Sequence, residues 1–142
     1  FIDFNVSSMA DLGTGAGFPG LVVGIFNKNK DFHVKLYEKS PVKRRFLTGV
    51  IKELGLNAEV LGDVRDEVID SEIIICRAFK KLDQIIQVSR EIAKKPHKLM
   101  ILKGQNAQEE IKNSFKTKKY PYKLESSMTN KDSKIILMEI NK

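Results

Sequence analysis

The possible folds of this chain are narrowed most by a glycine-rich turn that joins a β-rich run to a helical run. Residues 11–20 read Asp-Leu-Gly-Thr-Gly-Ala-Gly-Phe-Pro-Gly and continue the β-rich residues 6–12. Glycine at positions 13 and 15 lets the backbone turn tightly and approach a ligand, because no Cβ stands in the way. Pro19 suits the first turn of the helix that follows, where a missing N–H costs nothing. A strand, a glycine turn and a helix in this order are typical of nucleotide-binding α/β domains.

The rest of the chain alternates β-rich runs with amphipathic runs. Period-two alternation and short buried runs predict strands at residues 6–12, 32–37, 58–61, 73–76, 99–102, 122–127 and 134–140. Apolar residues at helical spacing predict helices at residues 20–27, 41–54, 82–93 and 106–115. Strands that alternate with helices imply right-handed crossovers and a parallel sheet covered on both faces. We therefore predict one doubly wound, Rossmann-like α/β domain over residues 1–142, whose last two strands pair antiparallel at the closing edge.

The spacing of the glycines and the position of two acids favour S-adenosylmethionine (SAM) over a dinucleotide as cofactor. Dinucleotide sites use G-x-G-x-x-G, whereas Gly13, Gly15 and Gly17 alternate strictly. Asp11 can accept a hydrogen bond from a cationic amine, while a pyrophosphate favours a site without carboxylates. Glu38 ends the second strand, 21 residues after Gly17, where an acid binds ribose hydroxyls in doubly wound folds. These five residues are therefore predicted to bind the cofactor.

The charge of the chain indicates a polyanionic partner. The sequence has 25 Lys and Arg against 18 Asp and Glu, a formal net charge of +7. Most of the excess lies in residues 28–52 and 112–131. Lys43, Arg44 and Arg45 follow the second strand on the ligand side of the sheet, where they could contact RNA phosphates. Phe46 is expected to face the core, which would leave no aromatic platform there for single-stranded bases.

The composition argues against several other classes of protein. One cysteine rules out a disulfide framework, and with only two histidines we expect no metal site. No apolar run approaches the roughly 18 residues of a membrane span, and no signal peptide is visible. We therefore expect a cytoplasmic protein that has no membrane contact and is a monomer.

Four stretches together resemble the RsmG (GidB) family. These are bacterial enzymes that transfer a methyl group from SAM to N7 of a guanine in small-subunit (16S) ribosomal RNA. The run DLGTGAGFPG at 11–20 carries the most specific match, since other methyltransferases share only its D-x-G-x-G core. Residues 38–56, Arg-Ala-Phe at 77–79 and Leu-Lys-Gly-Gln at 102–105 match in order and spacing.

The resemblance implies a function for individual residues. Arg77 falls on the arginine that faces the cofactor and the target base, so it is predicted to be catalytic. The cofactor contacts implied by the resemblance are Gly13, Phe18, Val64, Arg65 and Arg77. The RNA contacts that it implies are Lys43, Arg45 and Lys103, to which the charge pattern adds Arg44.

Methylation of guanine N7 needs little from the protein's acids and bases. N7 carries a free lone pair, so no proton has to leave before it reacts, and catalysis can rest on proximity and alignment. Cys76 would indicate methylation of pyrimidine C5 if it were a nucleophile, but a buried free cysteine is usually a small hydrophobic residue. His33 and His97 lie in or just before predicted strands, away from the strand ends that bind ligands, and are interpreted as structural.

Two departures from the family pattern leave alternatives open. Ten residues precede Asp11, whereas the family carries a helical segment ahead of its first strand, so we expect residues 1–142 to lack that segment. Arg65 occupies a position where the family usually has an acid, and a side-chain contact to the adenine would change there. The alternatives are a catalytically impaired, RNA-binding remnant of the family and a methyltransferase that acts on another substrate.

Overall fold

Seven strands form one sheet in the computed structural model, which describes residues 2–3, 5–115 and 120–141. The strands are β1 (Ser8–Leu12), β2 (His33–Tyr37), β3 (Ala58–Leu61), β4 (Ile73–Arg77), β5 (His97–Lys103), β6 (Lys123–Ser126) and β7 (Lys134–Ile140). The helices are α1 (Gly20–Phe26), α2 (Pro41–Leu54), α3 (Leu82–Ile92) and α4 (Ala107–Ser114), and a 3₁₀ turn spans Val64–Asp66. Part of the basic stretch 112–131, residues 116–119, lies outside the described residues.

The order of the strands across the sheet is β3-β2-β1-β4-β5-β7-β6. Strands β1 to β5 run parallel, so their carboxyl ends meet at one edge, here called the carboxyl edge. The chain leaves β1 toward β2 and β3 and returns to β4 on the other side of β1, which opens a crevice between β1 and β4. Strand β7 lies antiparallel between β5 and β6. The sheet therefore confirms the predicted doubly wound fold and its antiparallel edge.

The core has two layers, one on each face of the sheet. Helices α1 and α2 cover one face through Leu21 and Leu47, which pack with Ile73 and Ile75 of β4. The other face carries α3, α4 and the 3₁₀ turn, and it includes Ile74 of β4. Because successive side chains of a strand point to opposite faces, the apolar run of β4 serves both layers. In the part of the chain that the structure describes, no helix is long and apolar enough to cross a membrane.

Helix α2 shows how local sequence sets the ends of an element. The Ser40 hydroxyl accepts a hydrogen bond from the backbone N–H of Lys43, and Pro41 occupies the first turn. At the other end Gly55 adopts a left-handed φ of 62° and its N–H donates to the carbonyl oxygens of Ile51 and Lys52. These caps place the helix at the residues that the sequence predicts.

The prediction that Phe46 faces the core is wrong. Phe46 is 57% exposed and Leu54 is 52% exposed, whereas Leu47 is fully buried. Adjacent helical residues point about 100° apart, so a helix that meets the sheet along a narrow stripe cannot bury both Phe46 and Leu47. An aromatic side chain is therefore exposed beside Lys43 and Arg45.

Candidate functional site

The glycine turn after β1 uses its three alternating glycines in different ways. Gly13, Gly15 and Gly17 have φ values of 68°, 63° and 99°, a region that side chains rarely adopt. A Cβ on Gly13 would lie 2.8 Å from Cδ2 of Phe79, and one on Gly17 would overlap Leu21. A Cβ on Gly15 would meet nothing within 4 Å. The outer glycines therefore allow close packing within the protein, and Gly15 faces open space that a ligand can enter.

Asp11 holds the two ends of this turn together. The Asp11 side chain is fully buried, and its Oδ2 accepts hydrogen bonds from Thr14 Oγ1 at 2.6 Å and from the Gly20 N–H at 2.8 Å. Burial raises the pKa of Asp11 to about 6, against the two hydrogen bonds and the charge of Arg77, which lower it. Gly20 permits this contact, because a Cβ there would lie 2.7 Å from Oδ2. Asp11 thus has a structural function that the sequence reasoning did not anticipate.

Only one oxygen of Asp11 remains for the predicted cofactor contact. Oδ1 is buried, and it has no hydrogen-bond partner among the residues that the structure describes. A buried carboxylate oxygen without a partner is costly, so a cationic donor that reached Oδ1 would gain more than an ordinary hydrogen bond. The contact between Asp11 and a cofactor amine stays a prediction, now assigned to this atom.

Glu38 approaches the glycine turn from the end of β2. Its Oε2 accepts a hydrogen bond from the Gly15 N–H at 3.0 Å, and its Oε1 accepts one from the Ser40 N–H at 2.9 Å. The residue is 8% exposed, so most of its surface is removed from solvent. Each oxygen retains a lone pair, which leaves Glu38 able to accept further bonds from hydroxyl groups.

A cleft of about 320 Å³ opens at the carboxyl edge beside these residues and is here called the carboxyl-edge cleft. It brings together four of the predicted cofactor residues: Gly13, Glu38, Val64 and Arg65. Phe18 and Arg77 are not among its lining residues and lie against each other, with the Arg77 guanidinium carbon 5.8 Å from the centre of the Phe18 ring. Both side chains are exposed, so they form a separate cation–π pair.

The rim of the carboxyl-edge cleft is held by an ion pair within the 3₁₀ turn. The Asp63 carboxylate accepts from the Arg65 backbone N–H at 3.1 Å and from Arg65 Nε at 3.1 Å. Lys39 Nζ lies 3.5 Å from the same carboxylate. These cations hold the pKa of Asp63 well below its usual range. Val64 is 3% exposed and forms the apolar wall, while the Arg65 side chain folds back onto Asp63.

The sequence reasoning missed most of the other residues that line the cleft, three of which shape its walls and rim. Phe79 packs on Gly13, and its only signal was the Arg-Ala-Phe run. Asp63 orders the rim, as described above. Tyr37 at the end of β2 is 2% exposed, and burial together with the charges of Glu67 and Glu59 raises the pKa of its hydroxyl to about 12. Tyr37 therefore stays neutral and serves the cleft as a wall.

The four predicted RNA contacts fall into two pairs. Lys43 and Arg45 are exposed on the first turns of α2, near the carboxyl edge. Arg44 instead donates to the carbonyl oxygens of Glu38 at 3.1 Å and Lys39 at 2.7 Å. The Lys103 side chain is only 12% exposed and is also bound within the protein. The geometry leaves Lys43 and Arg45 as the better placed phosphate contacts.

The structure excludes Cys76 as a nucleophile. Its thiol is fully buried, and burial together with the charge of Asp11 raises its pKa to about 12. His33 and His97 begin β2 and β5, at the opposite edge of the sheet from the cleft. Within the described residues, no group of three or more His, Cys, Asp or Glu side chains could hold a metal ion.

Asp11 and Gly15 are not among the lining residues of the cleft, but they belong to the glycine turn that reaches it at Gly13. The turn and the cleft together fit an adenosyl cofactor that carries an amino acid. Gly15 leaves room beside its backbone, Glu38 offers a carboxylate at the position of a ribose, and Asp11 Oδ1 is an unsatisfied acceptor. An amine, two hydroxyls and an adenine satisfy these features, whereas a pyrophosphate would be repelled by both carboxylates. The fold and the site thus define a Rossmann-like methyltransferase of the class that uses SAM.

Solved structures with this fold include an RNA methyltransferase and a second protein in complex with SAM. An RNA methyltransferase from Salinibacter ruber in complex with S-adenosyl-L-homocysteine superimposes with a TM-score of 0.70 at 12% identity, covering 99% of this chain and 84% of that one. TYW2 of M. jannaschii in complex with AdoMet gives a TM-score of 0.65 at 19% identity, covering 98% and 69%. At these identities the likeness shows the fold.

The family is shown by sequence. Residues 1–136 match the family described as GidB, rRNA small subunit methyltransferase G, and the chain belongs to that family. It is 32% identical to ribosomal RNA small subunit methyltransferase G of Pelagibacter ubique over 146 residues, covering 100% of this chain and 68% of that protein. It is 40% identical to the same protein of Mesoplasma florum over 131 residues, covering 87% and 52%. The predicted family and its cofactor, SAM, are thereby confirmed, and the chain spans between half and about two thirds of these relatives.

Proposed function

We propose that this chain transfers a methyl group from SAM to N7 of a guanine in small-subunit ribosomal RNA. The observation that carries the proposal is the carboxyl-edge cleft, where the glycine turn, Glu38 and the wall at Val64 meet beside the Phe18–Arg77 pair. The family acts on small-subunit ribosomal RNA, and the same chemistry is assigned here to this chain. We further propose that residues 1–142 form the methyltransferase domain and act as a cytoplasmic monomer.

The cofactor would be held by backbone more than by side chains. Gly13 brings main-chain atoms to the cleft, and Gly15, further along the turn, borders open space. Glu38 would accept from the ribose hydroxyls, and the adenine would lie against Val64 beside Arg65. The complete set proposed to bind the cofactor is Asp11, Gly13, Gly15, Gly17, Phe18, Glu38, Val64, Arg65 and Arg77.

The chemistry assigned to the protein is orientation of the guanine. SAM supplies, when bound, a methyl group on a positively charged sulfur. Arg77 ends β4 at the carboxyl edge and can donate to guanine O6 or to a phosphate, which would aim N7 toward the cleft. Phe18 would help to keep the guanidinium in place through their cation–π contact. No residue has to take a proton before N7 reacts, so alignment supplies the rate enhancement.

Methyl transfer from labelled SAM to small-subunit particles, with mapping of N7-methylguanine, tests this function. Arg77→Ala should lower the rate by about 100-fold, the loss typical of one well-placed donor. Arg90→Ala removes another exposed arginine, on α3, and should leave the rate unchanged. Equal rates for the two variants would remove Arg77 from the site, and label on a base other than guanine would contradict the proposed substrate.

The RNA contacts are tested by the salt dependence of binding. If Lys43 and Arg45 each neutralise one phosphate, their joint replacement by alanine should reduce the log–log salt slope by about 1.5. The control variant, Lys28→Ala with Lys30→Ala, removes the same charge from the opposite edge of the sheet, before β2. It should leave the phosphate contacts of Lys43 and Arg45 intact and change the salt slope less. Equal changes of slope in both pairs would indicate only a general effect of net charge. Arg44 remains a predicted RNA contact, although its side chain donates within the protein. Lys103, the contact that the resemblance also implies, is bound to Glu110 and Lys80 and is given a different function in the next subsection.

A further inference from the structure

An ion pair between β5 and α4 fastens the loop that follows β4. Lys103, the last residue of β5, has its Nζ 2.9 Å from Glu110 Oε1 of α4. The same Nζ donates to the carbonyl oxygen of Lys80 at 3.0 Å. Glu110 Oε1 also accepts from the backbone N–H of Leu82 at 2.8 Å. Two side chains thus connect the end of the central sheet, two helices and residues 78–81.

These bonds replace a cap that the local sequence does not provide. Lys81 stands at the N-cap of α3 and makes no side-chain hydrogen bond to the helix. Glu110 supplies the missing acceptor from another helix, where its negative charge also suits the positive end of α3. The Lys103 and Glu110 side chains are 12% and 26% exposed, so solvent weakens their attraction less than that of a surface pair.

The loop that these bonds hold lines the carboxyl-edge cleft, and its backbone adopts a strained conformation. Ala78 has a φ of 51°, a left-handed conformation that is unfavourable for any residue with a Cβ. The Phe79 ring lies against Gly13, with room for no Cβ between them. Ala78, Phe79 and Lys80 all line the cleft. A strained conformation of this kind persists only when surrounding contacts hold it.

We propose that Lys103 and Glu110 are a positioning pair that presses residues 78–81 against the glycine turn and thereby sets the affinity for the adenosyl cofactor. The proposal rests on the proposed function for the identity of the ligand. It assigns Lys103 an action through the loop, in place of the RNA contact that the family resemblance implies. The Lys103 side chain is 12% exposed and its ammonium group already binds Glu110 and the Lys80 carbonyl, so these contacts compete with any phosphate.

Variants on both sides of the pair test the proposal by calorimetric titration with S-adenosylhomocysteine. Lys103→Met and Glu110→Gln should each weaken binding about tenfold, and the double variant should weaken it by less than the product of the two single effects, because both substitutions remove the same ion pair. Lys103→Arg keeps the charge and should retain binding within about threefold. Glu109→Gln removes the exposed neighbouring acid and should bind like wild type.

Kinetics separate positioning from RNA contact. The pair positions the loop that lines the cofactor cleft, so KM for SAM should rise about tenfold in Lys103→Met. The kcat at saturating SAM should stay within about twofold of the wild-type value. The salt slope of RNA binding should stay that of wild type. A lowered kcat at unchanged KM, or a salt slope reduced by about 0.8 with cofactor affinity intact, would overturn the proposal in favour of an RNA contact.

Amide hydrogen exchange tests the positioning pair in the absence of cofactor. The Leu82 N–H donates to Glu110, so its exchange should be faster in Glu110→Ala, which removes the acceptor oxygen, and unchanged in Glu109→Ala. Unchanged protection in Glu110→Ala together with unchanged cofactor affinity in Glu110→Gln would refute the positioning pair. Failure of the wild type to bind S-adenosylhomocysteine would instead contradict the proposed function, while the exchange measurement would still decide whether the pair holds the loop.

Discussion

Replacement of Asp11 by asparagine is expected to change how the stability of this protein depends on pH. Asp11 is fully buried, and burial raises its pKa from 3.8 to about 6. The folded protein therefore holds a proton on Asp11 more tightly than the unfolded chain does. The stability linked to this group is fully present below pH 3.8 and is lost as the pH rises through 6.

The size of the effect follows from the two pKa values. One pKa unit corresponds to about 1.4 kcal/mol, so the ionised Asp11 costs the folded state about 3 kcal/mol once the pH is well above 6. About 2 kcal/mol of this loss falls between about pH 4.5 and 7.5. Asparagine keeps an oxygen for the hydrogen bonds from Thr14 and Gly20 but does not titrate. The free energy of unfolding of Asp11→Asn, relative to wild type, should therefore rise by about 2 kcal/mol over this range.

Urea unfolding of both proteins at several pH values measures that difference. His97 gives the opposite slope, because burial lowers its pKa, but it is present in both proteins and cancels. Asp63→Asn is a matched control: its partner Arg65 lowers the Asp63 pKa, so its contribution is lost only in more acidic solution, below about pH 4. A difference between wild type and Asp11→Asn that stays constant with pH would refute the reasoning.

Three further predictions concern packing. Gly20→Ala should destabilise the protein by about 2 kcal/mol or more, since its Cβ would overlap neighbouring side chains. Gly49→Ala, whose Cβ would meet nothing within 4 Å, should stabilise the protein by about 0.5–1 kcal/mol. Thermal unfolding of the two variants measures both effects. Phe46→Ala should cost less than about 1 kcal/mol and Leu47→Ala about 2–5 kcal/mol in urea unfolding, and equal costs would mean that Phe46 is buried after all. Cys76→Ala should keep methyl transfer, and a complete loss of transfer in a folded variant would restore Cys76 as a nucleophile.

The bounds of elements could be predicted wherever the signals are local. Ser40, Pro41 and Gly55 specify the ends of α2 within the helix and its flanks, so the sequence is sufficient there. Strand β5 is longer than predicted because His97 and Lys98 pair with Ile140 and Glu139 of β7. That pairing joins residues far apart in the chain, so no local sequence pattern predicts it.

The candidate site could be predicted in position but not in its bonding. Asp11 and Glu38 were found because they stand at strand ends beside a glycine turn. Their partners depend on how the turn folds back, which brings Gly20 onto Asp11 Oδ2 and Gly15 onto Glu38. Lys103 was predicted from the family resemblance as an RNA contact, and the sequence could not reveal its contact with Glu110, which forms only when α4 packs beside β5. Residue type predicts chemistry, and tertiary packing decides whether that chemistry faces solvent.

Titration of the wild-type chain with S-adenosylhomocysteine in a calorimeter tests the central claim most directly. We expect saturable binding of one ligand per chain. Gly15→Ala should abolish or strongly weaken it, because the new methyl group enters the open space beside the turn while meeting no protein atom within 4 Å. The left-handed φ at this position costs about 1–2 kcal/mol with alanine, so thermal unfolding should confirm that the variant is folded. An absence of binding to wild type at millimolar ligand, or equal binding by the folded Gly15→Ala variant, would contradict the account.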